Sequence, residues 1–536
     1  MHINGWKKYL EFLENSIYST ELIASSLAPS HKIEKEQRST VKIGYSLYPF
    51  QQRILEKVMG DALIIGLPTG LGKTYLAGAF LARETAQYPK RILFLTPSIP
   101  LGVQQTLFAR NNLGVQEAYL ISGTLPPGRR KSLGVWNAGY IVTTPQTFFN
   151  DFLAEHEQEI REAKKSEDPV SALREYMPAY KFPFDILVAD ECHGYIGETD
   201  GYSILLSAKA CGAKILALSA TPQLHAPSRL LELKRIFGQI EVFSINDPDI
   251  RSFLPERSIT IVRLYVPQKL LMVYNQLAKV IRDYRERVKS AYGSQHLKGY
   301  CKKHPLCVSL LALRIMRSRI VEDGASSVLN YGIWRVRELR QSFKELGGRS
   351  IYDLYREALK SSFNHKFAAT KEILKRKSFE KAIVFVESVE CAKQLGTILH
   401  GVYGLEDVAV LVGKGSMSME QQASALLQFK ERARILVSTS IGEEGLDIPV
   451  ADLEVWMDPP SNPKKWIQRF GRILRHSGKK KVASIYALIS LMTHERRKLL
   501  SVMRRVEKVY GFTQFVREED LARMPEKGQK EITGYL

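Results

Sequence analysis

Leu67-Pro68-Thr69-Gly70-Leu71-Gly72-Lys73-Thr74 lies between a short apolar run and the Ala- and Leu-rich stretch Tyr75–Ala82. That order predicts a strand, a glycine loop and a helix. In such a loop backbone N–H groups close around phosphate oxygens, the lysine ammonium reaches the β- and γ-phosphates, and the Thr74 hydroxyl can ligate Mg²⁺. Leu67 stands where the strict G-x4-G-K-T pattern has its leading glycine. Further on, the apolar run Ile186–Ala189 ends in Asp190-Glu191-Cys192-His193. A buried strand ending in two carboxylates suits phosphoryl chemistry, with Asp190 holding Mg²⁺ and Glu191 orienting or activating the attacking water. A third cluster is Gln468-Arg469-Phe470-Gly471-Arg472-Ile473-Leu474-Arg475. Ser461 and Pro463 are good helix-start residues, so Gln468, Arg472 and Arg475 fall on one helical face. A planar, permanently charged guanidinium suits charge spreading over a transferring phosphoryl group. Arg472 and Arg475 are the candidates for that role; Arg469 is assigned to supporting the fold or contacting a strand.

These residues need elements to hold them. Apolar runs ending at turn or polar residues recur in two blocks: Ala62–Ile65, Ile92–Leu95, Ile141–Val142, Ile186–Ala189 and Ile215–Leu218, then Ala382–Val386, Val408–Val412, Ile435–Val437, Leu453–Met457 and Ala483–Leu488. Runs of this kind between longer amphipathic stretches predict buried parallel strands with crossover helices, hence two doubly wound α/β lobes. Ligands of such sheets sit at the carboxyl ends of the strands, where the three clusters fall. From about Val266 to Lys377 apolar residues instead recur at helical spacing, broken at Asp323-Gly324 and Gly347-Gly348, which predicts a helical insertion. The expected domains are a helical N-terminal extension (1–40), a first lobe (41–228), the insertion (229–375), a second lobe (376–515) and a tail (516–536).

Taken in order, these strings resemble superfamily 2 helicases over residues 47–475. The resemblance implies two RecA-like lobes and an ATPase using ATP and Mg²⁺. It makes Gln51, within Tyr48-Pro49-Phe50-Gln51, the base-recognition residue. It makes Thr96-Pro97 with Gln104, and Thr144-Pro145-Gln146, holders of one strand's phosphates. Ser219-Ala220-Thr221 resembles the segment linking hydrolysis to strand grip, and Ala382–Ser388 the fourth motif. Ser438–Pro449 resembles the fifth motif, which places Thr439 on the nucleic acid and Gly445 and Asp447 at the nucleotide. Leu67–Thr74, Ile141–Asn150 and Gly442–Pro449 look most like the archaeal Hef helicase and the Fanconi anaemia M translocase, whose helical insertion is similar too. That implies an ATP-dependent helicase or translocase on forked or branched DNA. The Asp190–His193 spelling equally resembles Dicer and the innate-immune double-stranded RNA sensors, so an RNA-dependent ATPase is the alternative. A non-catalytic nucleic-acid-binding scaffold is disfavoured by intact Lys73, Asp190, Glu191 and Arg472.

Composition agrees. The chain has 77 Lys+Arg against 56 Asp+Glu in 536 residues, a net charge of +21, and a surplus of that size suits a polyanionic partner. Residues 461–536 hold 18 Lys and Arg against 7 Asp and Glu. The five cysteines are scattered, and Cys301, His304 and Cys307 lack a nearby fourth metal ligand; free thiols in a reducing, cytoplasmic setting are expected. No export signal or membrane span is read. No Glu-Arg-Lys nuclease core is found, so structure-selective cleavage is not expected. Gln529, Ile532, Tyr535 and Leu536 resemble the clamp-binding peptide of replication and repair proteins, which would add a sliding clamp as a partner.

Overall fold

The apolar runs build two seven-stranded sheets in the computed structural model, which describes residues 26–58, 62–65, 67, 71–219, 227–243, 247–251, 256–297, 304–322, 364–413, 415–439, 448, 451–473, 482–510 and 516–520. The first sheet comprises β1 (Ala62–Ile65), β2 (Ile92–Leu95), β3 (Ala118–Ile121), β4 (Tyr140–Thr143), β5 (Ile186–Ala189), β6 (Lys214–Leu218) and β7 (Gln239–Glu241). The second comprises β8 (Glu256–Leu264), β9 (Ala382–Phe385), β10 (Val408–Leu411), β11 (Ile435–Ser438), β12 (Leu453–Trp456), β13 (Val482–Ser490) and β14 (Val516–Asp520). All the ladders of both sheets are parallel. The side chains of β2, β5, β9, β11 and β12 are buried along their whole length, as parallel strands covered by helices on both faces require.

The strand orders are β3-β4-β2-β5-β6-β1-β7 and β10-β11-β9-β12-β13-β8-β14. Counted from its own first strand, each sheet has the same order. β8 therefore holds in the second lobe the place of β1 in the first, and β12 the place of β5. This redraws the expected boundaries. β7 joins the first sheet, and β8 and β14 join the second, although residues 229–375 were expected to be insertion and 516–536 tail. β8 escapes a search for continuous apolar runs because polar residues alternate with Ile259, Ile261 and Leu264. β14 reads Val-Arg-Glu-Glu-Asp and lies at the sheet's edge, where charge is tolerated and blocks further pairing.

The helices that bear on the site are α1 (Pro49–Lys57), α2 (Lys73–Glu84), α3 (Ile99–Asn112), α4 (Pro145–Phe152), α5 (Gln268–Tyr292), α6 (Pro305–Glu322), α7 (His365–Arg376), α8 (Pro463–Ile473) and α9 (Glu495–Tyr510). Among the described residues of the insertion, α5 and α6 form a helix pair. On α5, Leu270, Val273, Tyr274, Leu277, Val280, Tyr284 and Val288 repeat every three to four residues and pack on Leu310, Leu313, Met316 and Ile320 of α6. Helix α7 belongs with the second lobe, with Phe367, Ile373 and Leu374 in its core. Residues 27–40, expected within a helical extension, carry no helix. They lie along the first lobe, where Leu120 N donates to Leu27 O at 3.0 Å and Ile33 N to Leu133 O at 2.8 Å. Among the described residues no helix is long and apolar enough to cross a membrane.

Candidate nucleotide site

The site begins where β1 hands over to α2. Gly72 caps α2 at φ +77°, a left-handed conformation that glycine adopts without steric cost. Leu67, the departure from the strict pattern, is fully buried in the lobe's core; its side chain anchors the start of the loop instead of lining it. Gln51 of α1 is buried, and its Nε2 donates to Leu71 O at 3.1 Å while Tyr48 N donates to its Oε1 at 3.0 Å. A Cβ at Gly72 would meet that Nε2 at 2.5 Å. The base-recognition candidate and the phosphate loop are thus built against each other.

Lys73 opens α2, and its Nζ stands 3.1 Å from Glu191 Oε1. Asp190 and Glu191 follow β5, and Glu191 sits at φ +50°, an unusual conformation for a residue with a Cβ and one that concentrates at functional sites. The turn carries the 3₁₀ segment Cys192–Gly194. In it His193 Nδ1 lies 3.1 Å from Glu191 Oε2 and 2.9 Å from Ser219 Oγ, which ends β6. A continuous polar chain therefore runs Lys73–Glu191–His193–Ser219. Burial pushes both carboxyls up, and the charge of Glu191 pushes Asp190 further in the same direction. At Glu191 the nearby Lys73 and His193 outweigh burial and hold the group below the usual carboxylate range. Burial also pushes the Cys192 thiol up, so it stays protonated and inert.

One buried and one partly buried carboxylate faced by one ammonium leave the pocket short of positive charge. That balance fits a divalent cation beside Asp190, with the Thr74 hydroxyl as the second ligand expected from sequence. Gln105 Nε2 of α3 lies 3.3 Å from Thr74 Oγ1, a contact that sequence reading missed because it pointed to neighbouring Gln104. Gln105 is buried, whereas Gln104 is only partly so. In the second lobe α8 starts where predicted, with Asn462 Oδ1 accepting from Lys465 N at 2.9 Å. Gln468 and Arg472 lie on it and are buried. Arg469 is wholly buried, donates from Nη1 to Asp458 O at 2.6 Å and stacks over Phe385, a structural role.

Comparisons with known proteins can be set beside this geometry. Residues 44–224 match the family model "Type III restriction enzyme, res subunit", and residues 365–477 match "Helicase conserved C-terminal domain". The Hef helicase domain of Pyrococcus furiosus superposes with a TM-score of 0.54 at 22% identity, covering 85% of this chain and 98% of that one; at this identity the likeness is one of fold. The ATP-dependent DNA helicase fml1 of Schizosaccharomyces pombe is 23% identical over 86% of this chain and 59% of its own length. A putative ATP-dependent RNA helicase of Methanocaldococcus jannaschii is 24% identical over 82% of this chain and 57% of its own. The two matched models, in this order, and the likeness to these relatives make the chain similar to superfamily 2 helicases of the Hef and FANCM type. The chain spans less than two thirds of the length of these curated relatives.

The remaining expected contacts divide into three groups. Pro97 and Gln146 are exposed, and Gln104, Thr144 and Pro145 are partly buried, on the first two turns of α3 and the first of α4 or just before them. Thr144 Oγ1 is engaged with Thr147 Oγ1 at 3.0 Å. Thr96 corrects its expectation: it is fully buried and its hydroxyl donates to Ser98 O at 3.2 Å, so it shapes the turn and presents nothing to a phosphate. Thr439 is likewise buried, its N–H donating to Leu411 O at 3.2 Å. Pro68, Thr69, Gly70, Ala220, Thr221, Gly445, Asp447, Arg475 and the clamp-peptide residues Gln529, Ile532, Tyr535 and Leu536 lie outside the described residues.

Proposed function

We propose that this chain is an ATP-driven DNA helicase or translocase that acts on forked or branched DNA. The observation that carries the reading is the polar chain Lys73–Glu191–His193–Ser219, which joins the phosphate loop to the end of β6. The relatives named as ATP-dependent DNA helicases support DNA as the track, and the surplus of 21 positive charges supports a polyanion.

ATP supplies the anhydride bond whose hydrolysis drives the cycle. Gln51 orients the base. Gly72 and the first turn of α2 present N–H groups to the phosphates, and Lys73 leaves Glu191 for the γ-phosphate oxygens. Released from that ion pair, Glu191 orients the attacking water and accepts its proton. Asp190 and Thr74 would hold Mg²⁺, which neutralises phosphate charge. Arg472 approaches from the second lobe and stabilises the charge that develops on the transferring group, the role that the sequence also assigns to Arg475. His193 and Ser219 carry the resulting shift of Glu191 to β6.

The deciding experiment measures ATP turnover with forked DNA, duplex DNA and duplex RNA. Strongest stimulation by forked DNA is expected. Stimulation by RNA alone would overturn the DNA reading in favour of the RNA-dependent ATPase, which the naming of the Methanocaldococcus jannaschii relative as a putative RNA helicase favours. Arg472→Lys should lower kcat by roughly 100-fold with little change in KM, because it removes an interaction made in the transition state.

A further inference from the structure

The shared strand order exposes a second lysine–carboxylate centre. In the first lobe, α2 leads into the second strand of the sheet and begins with Lys73, which faces the acids that follow β5. In the second lobe, α7 leads into β9, again the second strand, and its second residue is Lys366. Lys366 is fully buried and donates from Nζ to Asp458 Oδ1 at 3.2 Å. Asp458 lies just beyond β12, the counterpart of β5. Lys366 Nζ also donates to Glu495 Oε1 at 2.6 Å, at the start of α9.

This centre is closed to a nucleotide. Asn364 Oδ1 accepts from Lys366 N and Phe367 N at 3.0 and 3.2 Å, so the amides that face phosphate at a glycine loop are satisfied within the chain. A fully buried cation and its carboxylates are costly to keep, and removing one partner leaves an uncompensated charge. What the centre touches gives a reason for keeping it.

On one side Asp458 holds the arginine helix. Its Oδ2 accepts from Glu387 N at 2.8 Å and its main-chain oxygen from Arg469 Nη1 at 2.6 Å, while Glu387 pairs with Lys465 of α8 at 3.2 Å. On the other side stands the helical insertion. Glu322, at the end of α6, is buried and accepts from Lys498 Nζ at 2.6 Å; Lys498 lies three residues along α9 from Glu495, the partner of Lys366. Tyr274 of α5 bonds through its hydroxyl to both His494 Nδ1, at 3.1 Å, and His494 N, at 3.0 Å. Arg317 of α6 lies over the Tyr274 ring at 3.9 Å.

We propose that Lys366 is a positioning residue that ties the insertion helices to the arginine-bearing helix α8, so that the insertion sets the position of Arg472. The proposal rests on the reading of Arg472 given above. Lys366 acts through Asp458, which fixes where α8 begins, and Glu322 is the point at which the insertion enters the network.

The test uses the full chain with saturating forked DNA and compares wild type, Glu322→Gln, the charge-balanced pair Lys366→Met/Asp458→Asn, and the triple variant. Glu322→Gln and the Lys366/Asp458 pair should each lose about ten-fold in stimulated kcat with the KM for ATP within about two-fold. The triple should lose no more than the worse of them, because members of one unit are not additive. Folding is checked by a cooperative thermal transition. If the Lys366 pair does not fold, Glu322→Gln with Lys498→Gln carries the same comparison from the insertion side. Folded variants that keep kcat within two-fold, that raise KM instead, or whose losses multiply would overturn the coupling. Arg472→Lys run in parallel separates the two failures: if it keeps turnover, the reading of Arg472 is wrong, and if it alone loses turnover, only the coupling is wrong.

Discussion

Lys73 Nζ and Glu191 Oε1 are 3.1 Å apart, so the lysine that would grip the γ-phosphate is held by the carboxylate that would orient the attacking water. Neither can do both at once. Arrival of a phosphate that draws Lys73 away would free Glu191 in the same movement.

Lys73→Ala and Glu191→Gln are each expected to lower ATP turnover by at least about 100-fold, with nucleic-acid affinity within about two-fold. The two differ in stability. Lys73→Ala leaves Asp190 and Glu191 without their cation and should cost about 1–3 kcal/mol, whereas Glu191→Gln also removes a charge that Asp190 opposes and should cost less. Thermal melts without nucleotide check the order; an equal or reversed order would show that the pair does not carry the lobe's local charge balance.

Gly72 and Gln51 give an independent probe of the loop. Gly72→Ala combines a left-handed backbone with a Cβ placed 2.5 Å from Gln51 Nε2, at a cost of about 1–3 kcal/mol. Its expected signature is a raised KM for ATP. Gln51→Ala should instead erode the preference for ATP over GTP. Nucleotide competition measures both, and a Gln51→Ala variant that keeps full base selectivity would remove Gln51 from base recognition.

His193 links the hydrolytic carboxylate to Ser219 at the end of β6. His193→Ala should leave hydrolysis within several-fold of wild type and lower strand separation by about ten-fold or more, because it cuts the chain after Glu191 and leaves Lys73 and Asp190 in place. Ser219→Ala should reproduce the defect. Parallel loss of hydrolysis and strand separation in both variants would place His193 in the chemical step instead.

Where the chain is read as buried strand, loop and helix, sequence and structure agree closely. β2, β5 and β9 are continuous apolar runs, and β6, β11 and β12 depart from that only at Lys214, Ser438 and Glu454, because both faces of a parallel strand are covered; α8 follows from its start residues and spacing. The rest depends on partners that lie far along the chain. β8 alternates polar and apolar residues and enters the second sheet only through β13 and β14. Lys366 sits in a segment that reads as an ordinary amphipathic helix, and only the fold brings it to Asp458 and Glu495, 92 and 129 residues away. The choice between Gln104 and Gln105, or the burial of Thr96, turns on the rotation of one helix and the path of one turn, which spacing does not determine.

The histidines around Lys366 make the second lobe's stability sensitive to pH. His365 is fully buried with Nε2 2.8 Å from Ser490 Oγ, and burial, aided by Lys366, pulls its pKa down to about 3. Burial likewise lowers His494 to about 4, against the pull of Glu322. Both are neutral in the folded chain and titrate near 6.5 once unfolded, so their contribution is complete above that pH and is lost as pH falls toward the folded values. Each loses about 1.4 kcal/mol per pH unit in that window. Glu322, held down to about 2, loses its contribution only in more acid solution. The buried carboxyls Glu454 and Asp458, raised by burial to about 8 and about 6, act in the opposite sense, because the folded chain takes up their protons first. The prediction therefore concerns a difference. Between pH 7 and pH 5 wild type should lose about 2 kcal/mol more stability than His365→Gln, whose amide keeps a hydrogen-bonding group near Ser490 without titrating. Denaturant unfolding of both proteins at several pH values measures it; parallel pH profiles would mean that His365 is protonated in the folded chain.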